Sequence, residues 1–270
     1  MSLLMCRPEP VNHPYYIEVL GIHLYSSQEL CYVIFNNPLL VLEDFVDPSL
    51  IHFIGEELGM TKLAGKLKQL SDAREGEELK LLLILTECDY YTEYEIGRFK
   101  QVIAGLKKLH PAEYAKRAAD YLFEKKQYGK AAQRYEKLLD YPRDKTVGDA
   151  FLGEVSYSLG AAWAQMFQFE RAYKALDQSY GLTKSQDTLK RIYYLTVFEP
   201  ALAAKERYRP LFTPALKEAW DQELALARQG AQAAREVAGL RELFRQDEQA
   251  RLSGAEEMIG RWKREYRLMI

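Results

Sequence analysis

Four histidines and three cysteines are the groups in this 270-residue chain best suited to nucleophilic, acid–base or metal chemistry. They are His13, His23, His52, His110, Cys6, Cys31 and Cys88. A zinc site needs several such ligands to converge, as HExxH does by placing two histidines on one helix face. None of the four histidines has such a neighbour. A set of His23, Cys31 and Cys6 lacks a fourth ligand at a recognised spacing, and His23, inside an apolar run, reads as a partly buried structural side chain. A thiol nucleophile needs a depressed pKa, which a helix start or a nearby histidine supplies. Cys31 with His23 or His52 is the sharpest version of that idea. Cys31 is flanked by Leu30, Tyr32 and Val33, however, and reads as a core position. The chain is therefore expected to be no enzyme, with no catalytic residue, no metal and no cofactor.

Other chemistry-bearing patterns have plainer readings. Glu43, Asp44 and Asp47 lack the glycine and alternating oxygen ligands of a calcium loop, and read as helix-capping acids ahead of Pro48. There is no GxxxxGK[ST] and no GxGxxG after a strand, so no phosphate cradle is expected. The 19 tyrosines include clusters at Tyr90, Tyr91 and Tyr94 and at Tyr193 and Tyr194. They read as gap-fillers between helices rather than base-stacking platforms, because no basic excess accompanies them. The segment RWKREYR at 261–267 is a small basic patch with Glu256, Glu257 and Glu265 nearby, and reads as a solvated helix face.

The formal charge of −2 argues against a general polyanion binder. At 48% hydrophobic residues the chain has enough apolar side chain for a substantial core. Three scattered cysteines form no disulfide framework and suggest reduced thiols in the cytoplasm. The start, MSLLMCRPEP, is not a convincing secretory signal, and no apolar run approaches a membrane span.

The positioning elements are mostly helical. Residues 15–25, YYIEVLGIHLY, are rich in aromatic and β-branched side chains and read as a short strand, or a hairpin with residues 2–6. Ser26 or Ser27 caps a helix through LCYVIF, Pro48 opens another that ends at Gly59, and Thr61 caps a third. A helix over 77–88 is followed by one over 94–109, with Ile96, Phe99, Val102, Ile103 and Leu106 on one face. These two have the length of a helix-pair repeat and suggest an eroded copy of the pairs that follow. Beyond Pro200, Thr213–Pro214 starts a long helix and Ser253 caps a last one, together a helical hairpin that caps the stack or projects from it.

The best pattern lies in residues 112–182. Aligning Tyr128–Ala131 with Phe169–Ala172 puts Leu122 on Trp163, Ala118 on Leu159, Ala119 on Gly160 and Tyr135 on Leu176. This is a degenerate repeat of helix pairs. It resembles the tetratricopeptide repeat in Leu159, Gly160, Trp163, Ala172 and Leu176, and by size class in Ala118, Ala119, Leu122, Ala131 and Tyr135. Pro142 stands near that family's closing proline. The second copy lacks this proline, Ala115 and Ser156 stand where the family has an early tryptophan, and the loop DYPRDKTVGD enlarges the period beyond about 34 residues. The stretch YSSQELCYVIFNN also resembles the start of uncharacterised helical bacterial proteins, which implies no activity.

The resemblance implies an α–α superhelix of stacked pairs. The expected division is 1–76 as a helical region with a short extended element, 77–200 as repeats, and 201–270 as capping helices. The implied function is a cytoplasmic adaptor or scaffold that binds a protein or peptide in a concave groove. The alternative is a nucleic-acid-linked regulator using aromatic and basic surfaces, although no specific nucleic acid is expected. Groove residues come from the first helix of each pair: Lys116, Asp120 and Phe123, then Tyr157, Ala161 and Gln165, then Arg191 and Tyr194.

Overall fold

A computed structural model describes residues 11–204 and 206–270. Helix accounts for 74% of the structure, alongside two short strands. The chain divides into two compact units, Met1–Tyr121 and Leu122–Ile270.

In the first unit, β1 (Tyr15–Ile17) and β2 (Ile22–Leu24) pair antiparallel with Tyr15 opposite Leu24. Gly21, at φ +69°, forms the turn between them. The run 15–25 thus folds back on itself instead of forming a single strand; residues 2–6, its expected partner, lie outside the described residues. Six helices then precede the one that carries the unit boundary. They are α1 (Ser27–Asn36), α2 (Pro38–Val41), α3 (Pro48–His52), α4 (Thr61–Asp72), α5 (Glu77–Glu87) and α6 (Glu93–Leu106). Ser26 caps α1 and Asp47 caps α3, each accepting a backbone N–H three residues on. A π-helical turn, Phe53–Glu57, extends α3 towards Gly59. Thr61 is the first residue of α4 rather than its cap.

The boundary expected at 76/77 separates nothing. Leu81, Ile84, Leu85, Phe99 and Ile103 share one core with Leu30, Ile34, Leu50 and Leu67. The reason lies in LKLLLIL: α5 is apolar on several faces, and α1, α4 and α6 all pack against it. Val102, expected on the buried face of α6, is 48% exposed.

The helix α7 (Pro111–Glu124) contains the unit boundary. It is followed by α8 (Tyr128–Leu139), α9 (Asp149–Gln165), α10 (Phe169–Thr183) and α11 (Gln186–Phe198). Residues 112–198 therefore form five helices with no strand. Each of α9, α10 and α11 packs on its predecessor, most extensively α10 on α9. The enlarged loop is pinned rather than slack. Asp144 accepts the N–H groups of Thr146 and Val147, Arg143 pairs with Asp149 at 2.5 Å, and Val147 is buried.

Two 3₁₀ turns, Pro200–Ala204 and Glu206–Leu211, lead to α12 (Pro214–Gln232), α13 (Arg235–Leu243) and α14 (Glu248–Met269). The expected boundary at 200/201 also divides a single core, since Leu202, Tyr208 and Trp220 pack with Ala172, Leu176 and Ile192. Three helices replace the expected hairpin. Asp247 caps α14, and Ser253 lies inside it. The end of α14 packs back: the Tyr266 hydroxyl donates to the Met166 carbonyl at 3.4 Å, and Gly129 has the Ile270 backbone against it.

Candidate functional site

The repeat seen in the sequence is present in the backbone of two turns. Lys126 and Phe167 both adopt the left-handed conformation, at φ +61° and +60°. The next residues, Gln127 and Gln168, share φ/ψ of −87°/61° and −88°/63°. Their N–H groups reach back to Leu122 and Trp163, both at 2.9 Å, and their carbonyls accept from Ala131 and Ala172, both at 2.9 Å. These are the positions that the sequence alignment equates.

Gly160 lets the second pair close tightly. A Cβ there would stand 2.7 Å from Leu176 Cγ and 3.3 Å from the Ala172 carbonyl oxygen. Ala172 is fully buried for the same reason, and Trp163 holds the Arg171 guanidinium 4.5 Å from its ring centre.

Beside this contact lies a cavity of about 570 Å³, within the range of small-ligand sites. Six of the eight expected groove residues line it: Phe123, Tyr157, Ala161, Gln165, Arg191 and Tyr194. Lys116 and Asp120 do not; they belong to the other unit and pair with one another at 3.0 Å. Their spacing of one helical turn suits that pairing.

Sequence reasoning missed the aromatic wall. Phe167, Phe169 and Phe198 also line the cavity and form a continuous cluster, with ring centres 6.2 Å and 6.4 Å apart. Phe167 is 72% exposed and Phe198 56% exposed. The signal was in the alignment, because the slot of Phe167 is filled by exposed Lys126 in the first copy.

Away from that wall the lining turns polar. The Tyr157 hydroxyl donates to Asp187 Oδ2 at 2.5 Å and accepts from Arg191 Nε at 3.1 Å. Burial raises the Tyr157 pKa, and Asp187 raises it further, while Arg191 opposes both. Burial works against the Arg191 charge, but Tyr157 and Asp187 push its pKa up, so the guanidinium stays charged. The Tyr194 hydroxyl turns to Glu223 at 3.1 Å, and Glu223 also pairs with Lys190.

No match to this chain is found among family models, curated proteins or solved structures. The geometry therefore carries the functional reading by itself.

Among the described residues the histidines and cysteines form no cluster that could hold a metal ion. Cys31 and Cys88 are buried, and neither is in a disulfide. His23 is exposed on β2 and lies 4.7 Å from the Tyr16 ring, not partly buried as expected. His13 pairs with Glu57 at 2.8 Å, and Cys6 lies outside the described residues. Among the described residues no three His, Cys, Asp or Glu side chains are placed to hold a metal ion, and no helix is long and apolar enough to cross a membrane.

Proposed function

We propose that the protein is a cytoplasmic, non-enzymatic adaptor, a tetratricopeptide-like stack of helix pairs that holds a protein or peptide segment in the cavity beside α9 and α11. The observation that carries this reading is the exposed wall of Phe167 and Phe198 around a cavity lined by successive first helices. Covering a fully exposed phenylalanine is worth about 1.5–3 kcal/mol, and the fold leaves much of that unused at both residues. The buried reduced thiols of Cys31 and Cys88 are consistent with a cytoplasmic setting.

Site-specific photo-crosslinking tests the reading. A benzoylphenylalanine placed at position 167, in the full chain expressed in its host, is expected to capture a discrete protein adduct. The same group at position 126, on the equivalent turn, is expected to capture none. Equal labelling at both positions, or none at 167, would overturn the assignment.

A further inference from the structure

The charged end of the cavity specifies what the bound segment carries. Arg191 uses Nε for Tyr157, which is itself anchored to Asp187, so one edge of the guanidinium is held by its neighbours. No hydrogen bond from its two terminal NH₂ groups is made among the described residues, although the charges of Asp187 and Glu223 act on it from nearby. A charged fork held at one edge in this way matches a carboxylate, which takes two parallel N–H bonds. Arg191 is exposed, so the fork stands at the solvent edge of the polar part of the lining. A segment crossing that rim can present a side chain to the fork while its main chain continues outside.

Distance sets a second requirement. Arg191 and Phe198 lie on α11 seven residues apart, about 10 Å at a rise of about 1.5 Å per residue. Two turns of a helical ligand span about the same length, and so do three residues of a polyproline-type extended chain, whose side chains then share a face.

We propose, building on the peptide-binding reading, that the cavity selects an internal peptide segment with an Asp or Glu on Arg191 and an aromatic or large aliphatic side chain on the Phe167–Phe169–Phe198 wall. The two anchors are seven residues apart if the segment is helical and three apart if it is extended. Charge complementarity with the terminal NH₂ groups of Arg191 selects this occupant, and the phenylalanine cluster supplies its apolar anchor.

The test is a selection from a random dodecapeptide library displayed by messenger RNA, in which no peptide has a free C-terminus, on the immobilised full chain. Three proteins are compared: the natural chain, Arg191→Gln and Phe167→Lys. Lysine already occupies the equivalent slot at position 126, so Phe167→Lys respects the turn. The natural chain is expected to enrich acid-plus-apolar pairs at one of the two spacings. Arg191→Gln is expected to lose the acidic preference, keep the apolar one, and bind the best acidic peptide about tenfold more weakly. Phe167→Lys is expected to lose the apolar preference. An acidic preference that survives Arg191→Gln would overturn the proposal, as would enrichment of apolar peptides without acid, or binding only when a parallel library exposes free C-termini. Failure of the natural chain to enrich any peptide would instead overturn the peptide-binding reading beneath it.

Discussion

The turns at Lys126 and Phe167 share a backbone and differ in what they show to solvent. At both places a left-handed residue lets the chain reverse within a few residues between successive helices. Lysine fills that position in the first copy, so the geometry does not demand phenylalanine in the second. The helices before the turns differ in the same sense. Where the first copy has Lys116, Asp120 and Phe123, the second has Tyr157, Ala161 and Ala164. Lys116 and Asp120 pair with one another, whereas Ala161 and Ala164 leave space, and that space is part of the cavity. One structural plan thus yields a closed, charged helix face in one copy and an open, aromatic-walled hollow in the other.

The largest test of this contrast concerns the helix crossing. Gly160 in the second copy stands where Ala119 stands in the first, and only the second crowds a Cβ against Leu176. Gly160→Val is expected to cost about 2–3 kcal/mol through overpacking in urea unfolding, and Ala119→Gly about 1 kcal/mol through helix propensity. Equal costs would erase the distinction between the two crossings.

A smaller effect is expected from exchanging the turn residues. Phe167→Lys and Lys126→Phe should each leave stability within about 0.5 kcal/mol of the natural chain, since both sites are exposed and already left-handed. A loss well beyond that for Phe167→Lys would assign Phe167 to packing rather than to a ligand.

The smallest expected effect is in alkaline pH dependence. Tyr157 has its pKa raised above the ordinary 10.0 by burial and by Asp187. The folded chain therefore keeps this proton at pH values where the unfolded chain has lost it. The resulting stabilisation is complete below pH 10.0 and is lost as pH rises through the folded pKa. Tyr157→Phe should flatten the fall in stability between neutral pH and pH 11 in urea titrations, by about the share of one tyrosine. Tyr193, pushed up to about 12 by burial and Asp221, keeps part of the slope in the variant. An unchanged slope would mean that the Tyr157–Asp187 contact does not persist in solution.

Much of the local structure of both units is legible along the chain. Helix caps at Ser26, Asp47 and Thr213 depend on a side chain reaching a backbone N–H three residues on, which is local chemistry. The repeat is legible because Gly160 and Ala172 sit where only small side chains fit. Six residues that line the cavity followed from that register, since helical periodicity dictates which side chains share a face. Lys116 and Asp120 did not follow, because periodicity cannot say whether two facing charges serve a ligand or one another. Thr61 and Ser253 misled because a hydroxyl residue near an apolar run signals a cap only when the preceding chain is extended, and α14 already begins at Glu248.

The sequence by itself determined the helical character, five helices between residues 112 and 198, and the tight crossing at Gly160. Each of these rests on propensity, capping or side-chain size within a few residues of the position concerned. Tertiary structure alone decided that α5 and α6 share a core with the N-terminal helices, that α14 packs back on Met166 and Gly129, and that the phenylalanine wall and Arg191 line one cavity. These features depend on which surfaces meet across long separations in the chain. Apolar contact is non-directional, so its partners are chosen by the packing of the whole rather than by any local pattern.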